Sequence, residues 1–504
     1  MHLGMLLQMA ADGMADRTAI GPLDGGLTMA DLATHAQRVG AALADKPGER
    51  VVLVDLNSEA VPLALFGSAL AGKPFVPVNY RLTDEQLRAI LERTAPATVV
   101  VGEGIAERIG TIEGLEVMTR DELLAIAADE DAPLADPYAD IDPESPAVLL
   151  FTSGTTGEPK AAVLRHKNLA SYILMTVEFA GAGEDEATIV SVPPYHIAGI
   201  SSALSATYAG RRVVHLEAFD PALWVATVRT ERVTHAMVVP TMLNRILDVI
   251  EADGEGLPTL RALSYGGGPM PVPVIERAIG LLPDVGYVNA YGLTETSSTI
   301  ALLGPDDHRA AIASDDPAVR ARLGSVGQPL PSVEVTIRDP LGNEVPTGER
   351  GEIWVRGEQV SGEYLNRDDD RSEGWFNTRD AGHLDDEGFL FVHGRLDDVI
   401  VRGGENLSPG EIEAVLLEHP AVAEAAVVGV PDTEWGEKVV AAVVLNEGAG
   451  VEEAELQDLV RSKLRSTRTP EHIDIRDELP YNETGKLLRR VLKTELAEPE
   501  AATS

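Results

Sequence analysis

The chain contains no cysteine. That excludes disulfides, thiolate nucleophiles and cysteine-ligated zinc or iron–sulfur centres, and it is compatible with a reducing compartment. Basic residues are scarce: 41 Lys and Arg stand against 81 Asp and Glu, a formal net charge of −40. Such a balance argues against nucleic acid as a partner, and a polyanionic ligand would need a local basic patch to overcome the field. Long apolar runs are missing too. The longest, residues 60–72, is too short to cross a bilayer and reads as a packed helix, so any lipid contact would be peripheral. The opening Met1-His2-Leu3-Gly4-Met5 shows no basic segment followed by an apolar core, so no secretory signal is expected and the location reads as cytoplasmic.

What is present is the composition of a globular protein, 44% hydrophobic and 24% charged over 504 residues, enough for about three domains or for one large domain and a small one. Short apolar or β-branched runs at 51–54, 97–101, 147–151, 189–192, 212–216, 234–239 and 263–265 alternate with amphipathic stretches such as 221–231 and 240–252. This alternation predicts layered α/β architecture with largely parallel sheets. From about Gly324, closely spaced Gly, Pro and Asp turns separate short strands, which predicts a small β-rich subdomain. After Gly394-Arg395-Leu396-Asp397-Asp398 a compact α+β unit follows, with helices at 411–419 and 453–464 and strands at 422–430 and 439–445.

Phe151-Thr152-Ser153-Gly154-Thr155-Thr156-Gly157-Glu158-Pro159-Lys160 follows the 147–151 strand, and a helical pattern opens near Asn168. Small, hydroxyl-bearing and glycine residues offer N–H groups, hydroxyls and a lysine to a polyphosphate. It is not a Walker loop, because Pro159 stands where that pattern needs its second glycine. Tyr291-Gly292-Leu293-Thr294-Glu295 brings together a ring for a base, a hydroxyl for a phosphate oxygen and a carboxylate for Mg²⁺. Tyr265-Gly266-Gly267-Gly268-Pro269 would let a flat ligand lie against backbone. Asp380 could accept from ribose hydroxyls and Arg395 donate to them, while Lys486 closes the turn Pro480-Tyr481-Asn482-Glu483-Thr484-Gly485-Lys486. Each alone reads as well as a surface turn, a strand corner or a solvated charge.

In this order and spacing, from about Leu27 to Lys493, the segments resemble the adenylate-forming superfamily: acyl-CoA and aryl-CoA synthetases, peptide-synthetase adenylation domains and beetle luciferases. The resemblance implies a large N-terminal domain, 1–396, of layered α/β sheets plus a small β-rich subdomain, and a small mobile α+β domain, 397–504, hinged at Asp397. It implies ATP, Mg²⁺ and coenzyme A as reactants of an apolar carboxylic acid. Thr152, Ser153, Gly154, Thr155, Thr156, Gly157 and Lys160 would hold the β- and γ-phosphates. Thr294 would lie near them, and Glu295 would anchor Mg²⁺. Tyr291, Gly292 and Asn289 would meet adenine beside Gly266, Gly267 and Gly268, with Asp380 and Arg395 on the ribose. Lys486 would bridge carboxylate and α-phosphate, then withdraw as Gly403, Gly404 and Glu405 swing towards the thiol channel.

His196 would gate the acyl site, and Ala198, Gly199, Met237, Val238 and Val239 would line an apolar acyl pocket. Trp435 resembles a segment near the pantetheine path, and Arg465 and Arg468, with Arg461 and Lys463, would supply the basic patch for CoA phosphates. Departures fall at Arg379 and Ala161, where many relatives carry Gly, and at Thr467-Arg468-Thr469-Pro470, where many carry Tyr-Lys before a Pro. The resemblance also implies a homodimer by analogy, and lysine acetylation at Lys486. The leading reading is an AMP-forming acyl-CoA synthetase. The alternatives are an adenylation enzyme loading a carrier-protein phosphopantetheine, a luciferase-like oxygenase and a catalytically silent nucleotide-binding protein.

Overall fold

The computed structural model describes residues 1–152, 159–366, 371–402, 405–432, 435–446, 448–481 and 487–497. A nine-stranded sheet holds the first half of the site. At its centre run the parallel neighbours Arg212–His215, Ala187–Val190, His235–Val238, Ala262–Gly266 and Gly286–Leu293. Antiparallel strands extend one edge, Ser298–Leu303 and then Gln328–Pro329. A six-stranded sheet is parallel through Leu115–Thr119, Ala97–Val101, Arg50–Val54, Phe75–Pro77 and Pro146–Thr152, and ends on the antiparallel strand Lys160–Arg165.

Helices cover both sheets for local reasons visible in the sequence. Thr28 accepts from the Asp31 N–H while the Asp31 carboxylate accepts from Thr28, a capping box that starts the helix Met29–Ala44. Ala60–Leu70 is apolar on all sides and buried at every position, as a helix between two sheets must be. Asp220 caps Pro221–Thr230, with the proline at the helix start, where its missing N–H costs nothing.

The β-rich subdomain is an antiparallel sheet of Glu334–Arg338, Gly351–Arg356, Arg371–Ser372, Trp375–Leu384 and Leu390–Arg395. The 3-10 turn Leu396–Asp398 leads from it to the C-terminal unit. There Val422–Asp432 pairs with Gly436–Leu445, and helices Pro409–Leu416, Glu453–Lys463 and Arg489–Ala497 pack around a core of its own. The fold is thus mixed α/β with a large N-terminal part of several sheets and a smaller C-terminal domain. One expectation needs correction. The 152–160 loop does not lead from strand to helix; it closes a hairpin, Thr152 opposite Lys160, and the helix His166–Thr176 follows only after the strand Lys160–Arg165. Ala161 and Ala162 disguise that strand, since alanine carries no β-forming signal.

Candidate active site

The hairpin is pinned on both legs. Thr152 Oγ1 donates to the Lys160 carbonyl at 3.3 Å, and Arg93 donates to the Pro159 carbonyl at 2.9 Å while its guanidinium lies over the Phe151 ring. Ser153, Gly154, Thr155, Thr156 and Gly157 lie outside the described residues, as do Gly403, Gly404 and Lys486.

A distant segment joins the hairpin to the acidic turn. Residues 361–365 run along the Lys160–Arg165 strand, with Val163 N–H donating to the Glu363 carbonyl at 2.9 Å and Leu365 N–H to the Ala161 carbonyl at 2.8 Å. The same segment donates from Ser361 and Gly362 N–H to the Glu295 carbonyl, at 2.9 and 3.1 Å. Tyr364 therefore sits between two expected site residues. Its ring lies 5.4 Å from Lys160 Nζ and its hydroxyl donates to Glu295 Oε1. Sequence reasoning missed Tyr364, because strand addition across some two hundred residues leaves no local signal.

Glu295 lies in the 3-10 turn Thr294–Thr296 that ends the Gly286–Leu293 strand, and it is buried. Among the described residues no group of three or more His, Asp or Glu could hold a metal by itself. A single buried carboxylate, with only Oε1 taken by Tyr364, suits Mg²⁺, which binds through one or two carboxylates and completes its shell with water and substrate phosphates. Replacing Tyr364 by Phe is expected to raise KM for MgATP roughly tenfold, since a hydrogen bond to a charged group contributes about 1.5–3 kcal/mol. Steady-state kinetics with unchanged thermal stability would check this.

Tyr291, Asp380 and Arg395 form one connected trio. The Tyr291 hydroxyl donates to Asp380 Oδ2 at 2.6 Å, and Arg395 Nε lies 3.3 Å from Asp380 Oδ1. Arg395 also donates to the Thr378 carbonyl at 2.7 Å, and Asp380 and Arg395 are direct cross-strand partners. Burial, and then the Asp380 charge, push the Tyr291 hydroxyl well above the usual phenol range, so it stays a donor. Burial opposes the charge of Arg395, but Asp380, Glu295 and Tyr291 outweigh it and raise its pKa.

Gly266 must be glycine: a Cβ there would meet the Ala290 carbonyl at 2.3 Å. Gly267 takes φ +80°, and a Cβ on Gly268 would face open space, which leaves bare backbone beside the Tyr291 strand. On Gly292 a Cβ would come within 1.8 Å of the Ser298 carbonyl, just after the bulge that shifts the register of pairing with Ser298–Leu303. Asn289 is turned to a structural partner instead, its amide donating to the Ser325 carbonyl at 3.0 Å.

His196 caps the helix Ile197–Ala209, its Nδ1 accepting from Ala198 N–H at 3.3 Å. The neutral ring therefore carries its proton on Nε2. Gly199 fits closely over Pro193, whose carbonyl a Cβ would meet at 2.9 Å, and Ala198 is buried. Met237 and Val239 are half-buried, and Val239 lies within van der Waals reach of a Cβ on Gly267. Val238 is fully buried in the core that Val239 also packs against, while Met237, its neighbour in the strand, packs against the core on the opposite face.

In the C-terminal unit the basic cluster is largely neutralised. Arg468 pairs with Glu411 at 2.5 Å, Lys463 with Glu418 and Arg461 with Asp458, while Arg465 is exposed with no ion pair among the described residues. Trp435 is exposed, with Arg402 over its ring at 5.7 Å, and Glu405 pairs across the strand with Arg402.

Tyr364 thus joins the hairpin lysine to the Glu295 carboxylate, and the strand Gly286–Leu293 that leads into the Glu295 turn also carries Tyr291 of the trio. The profile of AMP-binding enzymes matches residues 7–365 and that of their C-terminal domain matches residues 411–486. The chain belongs to the AMP-binding enzyme family. It is 33% identical over 487 residues to the fatty acid–[acyl-carrier-protein] ligase ScoC of Streptomyces coeruleorubidus, covering 93% of this chain and 91% of that protein. To a feruloyl-CoA synthase of Amycolatopsis it is 32% identical over 471 residues, covering 92% of each. The o-succinylbenzoate-CoA synthetase of Bacillus subtilis, solved with ATP and magnesium, superposes with a TM-score of 0.81 at 29% identity, covering 97% of this chain and 99% of that one. Among the described residues no helix is long and apolar enough to cross a membrane.

Proposed function

We propose that this protein is an ATP-dependent acyl-CoA synthetase that activates an apolar carboxylic acid, fatty, aromatic or polycyclic. The observation that carries the reading is the joining, through Tyr364, of the hairpin lysine to the Glu295 carboxylate, one strand end from the Tyr291–Asp380–Arg395 trio. Family membership and the carboxylate-activating relatives support it. In the first half-reaction a carboxylate oxygen attacks the α-phosphorus of ATP, the α–β anhydride breaks and pyrophosphate leaves. In the second a thiolate attacks the acyl carbonyl and AMP leaves.

Within this reading Lys160 and the hairpin hold the terminal phosphates, and Tyr364 fixes the direction of the Glu295 carboxylate. Tyr291 stacks on adenine against the Gly266–Gly268 backbone, and Asp380 with Arg395 grips the ribose. Lys486 stabilises the charge that builds on the α-phosphate. Bound Mg²⁺ supplies charge neutralisation at the pyrophosphate leaving group. The unit from Asp397 onward turns at that residue between half-reactions. The finer expectations stand beside this: a cytoplasmic location, a homodimer, and acetylation of Lys486, which removes the charge adenylation uses. Lys486 left unmodified after treatment with an acetyltransferase and acetyl-CoA would retire the last.

A second reading has one observation in its favour. Arg461, Lys463 and Arg468 are ion-paired, which leaves little free positive charge for the phosphates of CoA, and ScoC is a ligase for an acyl carrier protein. The test offers a panel of carboxylic acids with ATP and Mg²⁺, and either CoA or a phosphopantetheinylated carrier protein, followed by mass spectrometry. Acyl-CoA is expected. Acyl-carrier protein with no acyl-CoA supports the second reading, and no AMP with any acid overturns both.

A further inference from the structure

We infer that His215 forms the far end of the acyl pocket, and that the acid activated here carries a neutral hydrogen-bonding group, a hydroxyl or carbonyl, roughly 15 Å from its carboxylate. The inference rests on the ligase reading above and replaces a wholly apolar acid by one with a polar tip.

Register alone draws the row. His215 lies opposite Val190, Met237 opposite Ser264, and Ser264 opposite Val288. Ala236 is opposite Ile189, so Met237 follows beside Val190. In-register residues of parallel strands share a face, and these five cross four strand spacings on one face of the nine-stranded sheet. Two residues further along the same strands, on the same face, stand Gly266 and Ala290, where the adenylate would lie.

The two faces differ in burial. On the far one Ile189, Val214, Ala236, Leu263 and Tyr287 are all 7% exposed or less. On the near one Val190 is packed under the helix Ile197–Ala209, 6% exposed, while His215, Met237, Ser264 and Val288 on either side of it are only half-buried. That helix packs Ile200, Ala203 and Leu204 with Val190 and Val213, but leaves Ser202 and Ser205 half-exposed. On this reading the acyl chain runs from the glycine backbone across this face of the sheet to His215.

At its end the half-buried His215 makes no hydrogen bond or ion pair among the described residues, so its ring nitrogens are open to a ligand. Burial alone lowers its pKa to about 4, so near neutral pH the ring is uncharged, with one donor and one acceptor. A hydroxyl satisfies both and a carbonyl satisfies the donor. A second carboxylate would be a buried charge facing an uncharged ring, and is rejected.

The test compares dodecanoic acid, its terminal-hydroxy derivative and dodecanedioic acid by ATP–pyrophosphate exchange. The hydroxy acid is expected to exceed the parent in kcat/KM by roughly tenfold to a hundredfold, with the diacid poorest. His215→Leu should lower kcat/KM for the hydroxy acid and raise it for the parent, a crossing that a folding defect cannot produce. His215→Gln keeps a donor and an acceptor and should retain the preference. Exchange with no preference for the hydroxy acid, exchange confined to acids too short to reach His215, or an equal loss on both acids in His215→Leu overturns the inference but leaves the ligase standing. No exchange with any acid overturns both.

Discussion

Lys486→Ala is expected to lower ATP–pyrophosphate exchange on the order of 10²- to 10³-fold, while thioester formation from a supplied acyl-adenylate falls far less. The asymmetry follows from where charge develops. Adenylation concentrates negative charge on the α-phosphate, and a cation placed there acts chiefly in that transition state; thiol attack occurs after the lysine has withdrawn. The structure shows how the base of this loop is held. Tyr481 bridges to Leu487, and Leu488 N–H donates to the Pro480 carbonyl at 2.7 Å, so the two legs around residues 482–486 are tied together. Arg489, just beyond, is ion-paired with Glu413 at 2.5 Å and with Asp398 at 3.5 Å. The base of the lysine loop is thereby linked to the residue after the proposed hinge, and a turn at Asp397 would carry the loop as one body with the C-terminal core. Equal losses in the two half-reactions would contradict this division of labour.

Much of the layered architecture was legible because buried parallel strands are short apolar runs. The 97–101 run matches the strand Ala97–Val101, and 212–216 and 263–265 match their strands to within one residue at either end. The trio was legible as residue types, but not as a bonded set, since Asp380 and Arg395 pair within one sheet and Tyr291 reaches them from another. Met237 and Val238 were grouped although the information was present: they are successive residues of the strand His235–Val238, whose side chains alternate, so the two face opposite sides. The ion pairs of the basic cluster were hidden for another reason. Charge counted along the sequence cannot see Glu411 and Glu418, which the fold brings back from the preceding helix and its end. His215 carried no motif at all, and only the register of five strands places it.

Glu295→Gln is expected to reduce adenylation by a comparable factor, roughly 10²-fold or more, and to raise the Mg²⁺ concentration needed for half-maximal rate about tenfold. The substitution isolates charge from shape. Glutamine keeps the length of the side chain and a carbonyl oxygen that can accept from Tyr364. The backbone of residue 295 is held independently by the N–H groups of Ser361 and Gly362. Burying an amide in place of a carboxylate costs less, so thermal stability should not fall, and a loss of rate reports the missing charge rather than a disturbed turn. Tyr364→Phe then becomes informative in combination. If Tyr364 acts by aiming the Glu295 carboxylate, removing its hydroxyl from the Glu295→Gln protein should add far less than its tenfold effect alone, because the two residues serve one interaction. Fully multiplicative losses would mean that Tyr364 works through Lys160 instead, and a Glu295→Gln enzyme with the original Mg²⁺ requirement would place the cation elsewhere.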